Sequence, residues 1–420
     1  MRIKSDSLWR HPGFLRFWAG QTVSVCGDHV TMLALPLVAV AVLHARPVEM
    51  GILAGAAGIP TLVLGLPAGA WVDRVRRWHV LVGADFARAL VLGSIPLANL
   101  VGLLGMPYLY SVAICVGIAS VFFNVAYQSF LPSLVQREQL VAGNAKLSMS
   151  RSVASIAGPG LAGTMVQLLT APVAIICDAL SFLASGLFIA TVGRQEAKPA
   201  PVSRRTWADV IAGLRFVAGQ PLLRASAGTA GTYNTSRALL HSVYVLYITR
   251  ELGVTPATLG VLFALVGPGS LIGTFLAAPA ARRFGVGPTM IGGIVLAGVA
   301  NLLVPLTALA GAKPHVVVAL LAVASFGNGF GQPFYNVQQV SLRQAVTPDG
   351  FLGRVNATMQ FVASSTAPLG ALIGGLLGQV LGLWPALFVG ALGTLLSALW
   401  LLQSRVQTVN GLEELAPSST

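Results

Sequence analysis

Apolar residues run along this chain in stretches of about 20, broken by short segments rich in glycine, proline or charge. An α-helix needs ~20 residues to cross a bilayer core, whereas a transmembrane β-barrel would show alternating segments of ~10. Twelve spans are predicted, at roughly 17–43, 49–71, 79–101, 107–136, 142–168, 171–193, 222–250, 257–281, 288–310, 315–343, 352–379 and 384–403. Between the sixth and seventh lies GRQEAKPAPVSRRTWADVIAGLRFVAGQP, which is polar, basic and proline-containing. It cannot sit in hydrocarbon and reads as a linker with a short amphipathic helix near Trp207 to Val217. The expected organisation is an N-terminal six-helix bundle at 1–193, a cytoplasmic linker at 194–221, a C-terminal six-helix bundle at 222–406 and a disordered tail at 407–420.

The two halves resemble each other in register. Met50-Gly51-Ile52-Leu53 recurs 209 residues on as Leu259-Gly260-Val261-Leu262, and at that spacing Asp73-Arg74 falls on Arg282-Arg283. Further along the spacing is 212: Phe123-Asn124-Val125 recurs as Tyr335-Asn336-Val337, Asn144-Ala145 as Asn356-Ala357, and Gly158 and Gly163 as Gly370 and Gly375. Two pseudo-symmetric six-helix bundles are implied.

Composition narrows the class. With 55% hydrophobic and 9% charged residues among 420, the chain has too little polar surface for a soluble globule of its size, and the expected class is an all-α membrane protein. A net charge of +13 raises the question of nucleic acid, and the placement of the basic residues answers it. By the predicted spans, 20 of the 26 Lys and Arg fall in alternate loops and termini, 3 in the opposite loops (Arg46, Arg250, Lys313) and 3 inside spans (Arg88, Arg151, Arg237). That bias puts both termini in the cytoplasm of a cell (inner) membrane protein, with lipid rather than nucleic acid as the surrounding partner. The start, MRIKSDSLWRHPGFLRFW, is basic and shows no cleavable signal, so the first span serves as its own targeting signal. Cys26, Cys115 and Cys177 lie within apolar spans and give neither a disulfide frame nor a metal site. No glycine-rich phosphate loop, metal-ligand cluster or nucleophile–base set is present, which argues against an enzyme, a bound cofactor or ATP as energy source.

Polar groups inside the spans carry the candidate chemistry. Asp28 lies about 11 residues into the first span, on the order of 17 Å along its axis and near the bilayer centre. A carboxyl there is costly as a bare charge, and desolvation favours its neutral form, so it is a candidate to take up and release a proton. The other reading is a permanently paired carboxylate, and Arg237, its counterpart 209 residues on, makes that pairing concrete. His29 faces about 100° away. The tenth span carries Asn328, Gln332, Tyr335, Asn336 and Gln339 on one helical face, and the fourth carries Ser120, Asn124, Tyr127 and Gln128. Either stripe could be polar glue between helices or the wall of a water-filled path. Asp85 and Arg88 are three apart near the inner end of the third span and can pair; Arg151 in the fifth lies at similar depth. Asp178 lies about 10 Å in from the outer end of the sixth span, where a second protonation site and a capped helix contact are both open.

The loop GLPAGAWVDRVRRWHVLVGADFAR, with Gly69, Asp73, Arg74 and Arg77 in the pattern G-x-x-x-D-R-x-x-R, resembles the loop signature of the major facilitator superfamily of secondary transporters. Arg76 stands where a second glycine is common and Trp78 where a basic residue is common. Gly158-Pro159-Gly160-Leu161-Ala162-Gly163 resembles the end of the antiporter motif GPxxGG, with Ala162 for one glycine. Within the superfamily the chain is most similar to exporters of macrolides and of siderophores such as enterobactin, through RFWAGQTVSVCGDHVTMLALPL, the DALSF around Asp178 and the NA then GP of the fifth span.

The resemblance implies twelve helices in two six-helix bundles, a substrate site near the midplane, and alternating access by rocking. It implies that the first, fourth, seventh and tenth spans line the cavity. That places Met32, Phe122, Phe123, Asn124, Tyr127, Gln128, Tyr233, Asn234, Arg237, His241, Asn328, Gln332, Tyr335, Asn336 and Gln339 around the substrate. Asp73, Arg74 and Arg77 with Gly69 then form a cytoplasmic gate in which Asp73 meets the start of the eleventh span near Arg354 and Asn356, and the network of Asp85, Arg88 and Arg151 is either structural or part of that gate. The alternative for that loop is a solvated segment whose arginines only fix orientation. The function implied is proton-coupled export of a bulky amphipathic small molecule by a monomer, with Asp28 and Asp178 as proton sites. Uptake or lysolipid flipping on the same fold, and a transport-inactive sensor or assembly partner, are the alternatives.

Overall fold

The computed structural model describes residues 5–72, 74–192, 207–309, 313–409 and 411, and among these the secondary structure is helical, without strands. Before the linker come α1 (Pro12–Leu37), α2 (Pro47–Val72), α3 (Arg77–Leu100), α4 (Met106–Leu134), α5 (Leu140–Leu169) and α6 (Ala171–Ala190). The linker helix is α7 (Trp207–Gly219). After it come α8 (Pro221–Leu246), α9 (Pro256–Ala264), α10 (Val266–Phe284), α11 (Val286–Leu306), α12 (Pro314–Val346), α13 (Leu352–Val380), α14 (Leu383–Leu396) and α15 (Leu399–Leu402). Proline opens α1, α4, α6, α8 and α12 within their first two positions, where its fixed φ suits a helix and its missing N–H is not needed.

Eleven helical segments among the described residues are long and apolar enough to cross a membrane. The helix at the seventh predicted position, α8, has 26 residues but is not among them. Arg224, Asn234, Arg237, His241 and a run of Ser and Thr make it too polar to be counted on composition, although most of its residues are buried.

The chain divides into two compact units: Met1–Ala45, Ala56–Arg204 and Thr255–Ala264 form unit 1; Arg46–Gly55, Arg205–Val254 and Leu265–Thr420 form unit 2. In unit 1, α6 packs on α1 and α3, which pack in turn on α5 and α4. Phe14, Phe17, Leu81, Phe123, Phe130, Leu147 and Ile189 close its core. In unit 2, α8 packs on α13 and α14, and α12 on α10 and α11. The linker helix docks on α13, burying Val217 with Leu223, Val355 and Met359. At the end of the C-terminal bundle Arg405–Thr408 forms a 3₁₀ turn, and Val406 and Val409 are buried against α11, with Gly287 N–H donating to the Val409 carbonyl at 3.0 Å; of the tail expected at 407–420, residues 410 and 412–420 lie outside the described residues.

The two segments that depart from a simple cut at the linker are held by glycines. In unit 2, the start of α2 lies on α13 so closely that a Cβ on Gly51 would stand 2.7 Å from Gly375 Cα. In unit 1, α9 lies on α5, where a Cβ on Gly163 would stand 2.8 Å from Gly260 Cα. Gly51 and Gly260, and Gly163 and Gly375, are repeat counterparts, so the two contacts are one contact made twice.

The backbone repeats itself elsewhere too. α1 ends in a π turn at Val38–Val42 and α8 in another at Tyr247–Glu251, 209 residues on. The residues that follow, His44 (φ 51°) and Gly253 (φ 63°), match at the same spacing, and Thr170 (φ 77°) matches Gly382 (φ 98°) at 212.

Candidate functional site

Unit 1 places four ionisable groups, Asp28, Asp85, Arg88 and Asp178, well inside its helices. Arg88, the twelfth residue of α3, is buried and pairs with Asp85 of its own helix. Its guanidinium is held between two rings, 4.2 Å from the centroid of Phe123 on α4 and 4.0 Å from that of Phe182 on α6. Asp178 of α6 is fully buried and accepts a hydrogen bond from Ser181 at 2.9 Å; Thr31 of α1 also interacts with it. Asp85 likewise interacts with Ser185 of α6. Asp28 completes the group, because its charge acts on Asp85, Asp178 and Arg88, yet its own side chain is exposed.

Three carboxyls and one guanidinium therefore share one electrostatic cluster. Asp85 and Arg88, expected as a structural or gate network, are brought beside Asp28 and Asp178 by the packing of α3 on α6. Within unit 1 the cation acting on Asp28 is Arg88, and within unit 2 Arg237 acts on Tyr233 and His241. Sequence reading missed Thr31, Ser181, Ser185 and Phe182, small or aromatic groups whose roles appear only once α1, α3 and α6 are packed.

Local packing orients this cluster. A Cβ on Gly27 would stand 2.8 Å from Ser181 Cβ and closer still to the Asp178 carboxylate, so a bare backbone at Gly27 lets α6 deliver both groups to α1. His29 turns to α5 and lies on Gly158, where a Cβ would meet its ring at 2.7 Å.

The polar stripes split along their edges. On α12, taking Asn328 as 0° at 100° per residue, Tyr335 lies near −20°, Gln339 near +20°, Gln332 near +40° and Asn336 near +80°. Burial falls off towards one edge of the stripe: Tyr335 and Gln339 are buried, Asn328 and Gln332 half-buried, and Asn336, at the far edge, exposed. Tyr335 donates to the Ser226 carbonyl at 3.1 Å, and Asn328 donates to Asn301 Oδ1 at 2.9 Å, with Asn301 donating on to Thr394 at 3.3 Å. Tyr233 is buried beside Asn328, and Asn234 donates back to the Ala230 carbonyl at 2.8 Å. Of the residues expected at the substrate, Tyr335 and Asn328 make hydrogen bonds within unit 2, and Tyr233 and Gln339 are buried. On α4, Asn124 and Gln128 are exposed, Tyr127 is half-buried and accepts from Arg151 at 3.2 Å, and Phe123 is buried under Arg88. The positions left exposed are Asp28 and Met32 on α1, Asn124 and Gln128 on α4, Arg237 and His241 on α8, and Asn336 on α12. Asp28 and Met32 are the repeat counterparts of Arg237 and His241, and Asn124 of Asn336.

Of the loop signature, Asp73 lies outside the described residues, and with it the expected latch on α13. Arg74 is exposed, Gly69 and Arg77 are half-buried, and the Arg354 guanidinium lies 5.1 Å from the Phe351 ring, which stacks on Phe216 of the linker helix. Among the described residues no group of His, Cys, Asp and Glu could hold a metal ion, and Cys26, Cys115 and Cys177 are unpaired thiols.

The profile of transmembrane secretion effectors matches residues 6–419. The chain belongs to that family of major facilitator transporters. A multidrug efflux pump, Tap, from Mycolicibacterium fortuitum is 28% identical over 389 residues, covering 89% of this chain and 91% of that protein. An uncharacterized major facilitator transporter of Sinorhizobium fredii is 27% identical over 378 residues, covering 89% and 90%. Among solved structures, a bacterial homologue of the iron transporter ferroportin superposes with a TM-score of 0.71 at 19% identity, over 93% of this chain and 98% of that one. A bacterial homologue of the lysosomal transporter Spinster gives 0.72 at 14% identity over the whole of both chains. These likenesses establish the fold. This transmembrane secretion effector is accordingly a multi-pass membrane transporter and not an enzyme.

Proposed function

We propose that this transporter exports a bulky amphipathic compound in exchange for protons, with Asp28 as the carboxyl that loads and releases the proton. The observation carrying this reading is that Asp28 sits at mid-helix, exposed, while its charge acts on the buried Asp85, Asp178 and Arg88. An ionisable group in that position inside a membrane segment is costly unless it has a task. Exposure gives it access to protons, and the buried partners make its charge state felt by α3 and α6. Asp178, interacting with both Asp28 and Thr31, is the second proton site of the cluster. Met32, Asn124, Gln128 and Asn336 offer apolar and neutral hydrogen-bonding surface that suits an amphipathic compound. The full-length likeness to a multidrug efflux pump supports export as the direction.

The test is uptake of a fluorescent drug panel into everted membrane vesicles, with and without a collapsed pH gradient. Wild-type accumulation is expected to vanish on collapse, and Asp28→Asn to abolish gradient-driven accumulation while leaving protein levels unchanged. Gradient-dependent transport retained in Asp28→Asn would defeat the proposal.

A further inference from the structure

Unit 2 carries a mid-helix cation of its own. Between Ala225 and Thr249, α8 and its π turn expose only two residues, Arg237 and His241, one helical turn apart on the same face. Lipid-facing surface shows as exposed apolar side chains, as on α10 at Leu271, Ile272, Phe275 and Leu276. α8 has none in this stretch, so its open face is not a hydrocarbon face. Arg237 lies 16 residues from Pro221 and 14 from Glu251, about 24 Å and 21 Å of helix, too far for its side chain to reach either end.

Arg237 has no ion pair or hydrogen bond among the described residues, and its charge acts on Tyr233 and His241. Among the described residues unit 2 holds no mid-helix acid to pair with it: Glu49, Asp209, Glu251 and Asp349 all lie near the ends of their helices. Unit 1, in contrast, holds Asp28, Asp85 and Asp178 inside its helices. A guanidinium in a membrane segment with no partner inside its own unit is suited to receive an anion, and its planar fork of donors matches a carboxylate. His241 adds a donor one turn on, and half-buried Asn234 and Gln332 add neutral donors in the same unit.

We infer that Arg237 and His241 bind the anionic head of an amphipathic molecule, a carboxylate or another oxyanion on an apolar body. This names the substrate class for the exporter proposed above and rests on that reading only for the identity of the bound molecule as cargo. Seen this way, the compound carried is an anion or a zwitterion, not a simple lipophilic cation.

The experiment uses the full chain in phosphatidylcholine nanodiscs and 11-(dansylamino)undecanoic acid as probe, read by dansyl fluorescence, beside its uncharged methyl ester. Wild type is expected to bind the acid about tenfold or more tighter than the ester. Arg237→Gln should erase that preference, His241→Gln should reduce it, and Arg237→Lys should keep part of it. Equal binding of acid and ester by wild type, or an undiminished preference in Arg237→Gln, overturns the inference. Should Arg237→Gln fail to fold, the wild-type comparison and Arg237→Lys still decide. Repeating the titration with phosphatidylglycerol in the disc separates sources: competition by that lipid means the anion is a membrane lipid, and its absence means a free amphiphile, the site standing in both cases. Binding is scored without a pH gradient, so loss of proton coupling in Asp28→Asn leaves this result untouched, and loss of acid preference leaves the efflux result untouched.

Discussion

Gly27 of α1 and Asp178 of α6 are fitted to each other, the aspartate carboxylate and the neighbouring Ser181 occupying the space that a side chain at position 27 would need. The mid-helix cluster of unit 1 is therefore set by shape as well as by charge.

Gly27→Ala should push Asp178 and Ser181 off their places. Overpacking of this kind costs about 1–3 kcal/mol, so thermal unfolding in detergent is expected to shift down and proton-driven efflux to fall sharply. Unchanged melting together with wild-type efflux would mean that α6 gives way freely and the fit has no consequence.

Arg88 is buried between two aromatic rings and paired with Asp85. Removing it leaves a buried carboxyl group without its cation, which costs about 3–5 kcal/mol. Arg88→Gln should express poorly or melt far below wild type, and Arg88→Gln with Asp85→Asn should recover part of the loss. A double variant no better than the single one would show that the pair is not a unit.

Thr170 holds φ 77° and ψ 156°, a region that a β-branched residue strains to occupy, while its repeat counterpart at 382 is glycine. Relief of about 1–3 kcal/mol of strain, less about 0.5–1 kcal/mol for the added freedom of glycine in the unfolded chain, leaves Thr170→Gly more stable. The reverse change, Gly382→Thr, should destabilise. Melting curves of both variants check the sign.

Gly163 and Gly260 share one backbone contact, and Gly51 and Gly375 share another. In a double-mutant cycle on stability, Gly163→Ala and Gly260→Ala should couple strongly, whereas Gly163→Ala and Gly51→Ala should add. Additive behaviour within the first pair would contradict the close approach of α5 and α9.

Much of this was legible in the residue order. The helix positions follow from the apolar runs, and Asp28, Asp178 and Arg237 stand out because charge is rare inside such runs. What the order of residues could not reveal depends on packing between helices distant in sequence. The grouping of Asp85 and Arg88 with Asp28 is made by α3 meeting α6. Asn301 and Thr394, polar residues in mainly apolar spans, gain meaning only as the chain of hydrogen bonds ending at Asn328. The stripe on the tenth span was visible as a face, and its angular spread of about 100° already contained the division that burial makes between Tyr335 and Asn336. The docked start of the tail also left a mark, since Val406 and Val409 are the apolar pair of VQTV, three apart.

The matched π turns and the matched left-handed residues at 44 and 253, and at 170 and 382, have an evolutionary meaning. A duplicated ancestor has drifted until its copies carry opposite charges at one address, Asp28 and Arg237, yet both copies still kink in the same places. Backbone shape has thus been kept across the duplication at addresses where side-chain charge has not.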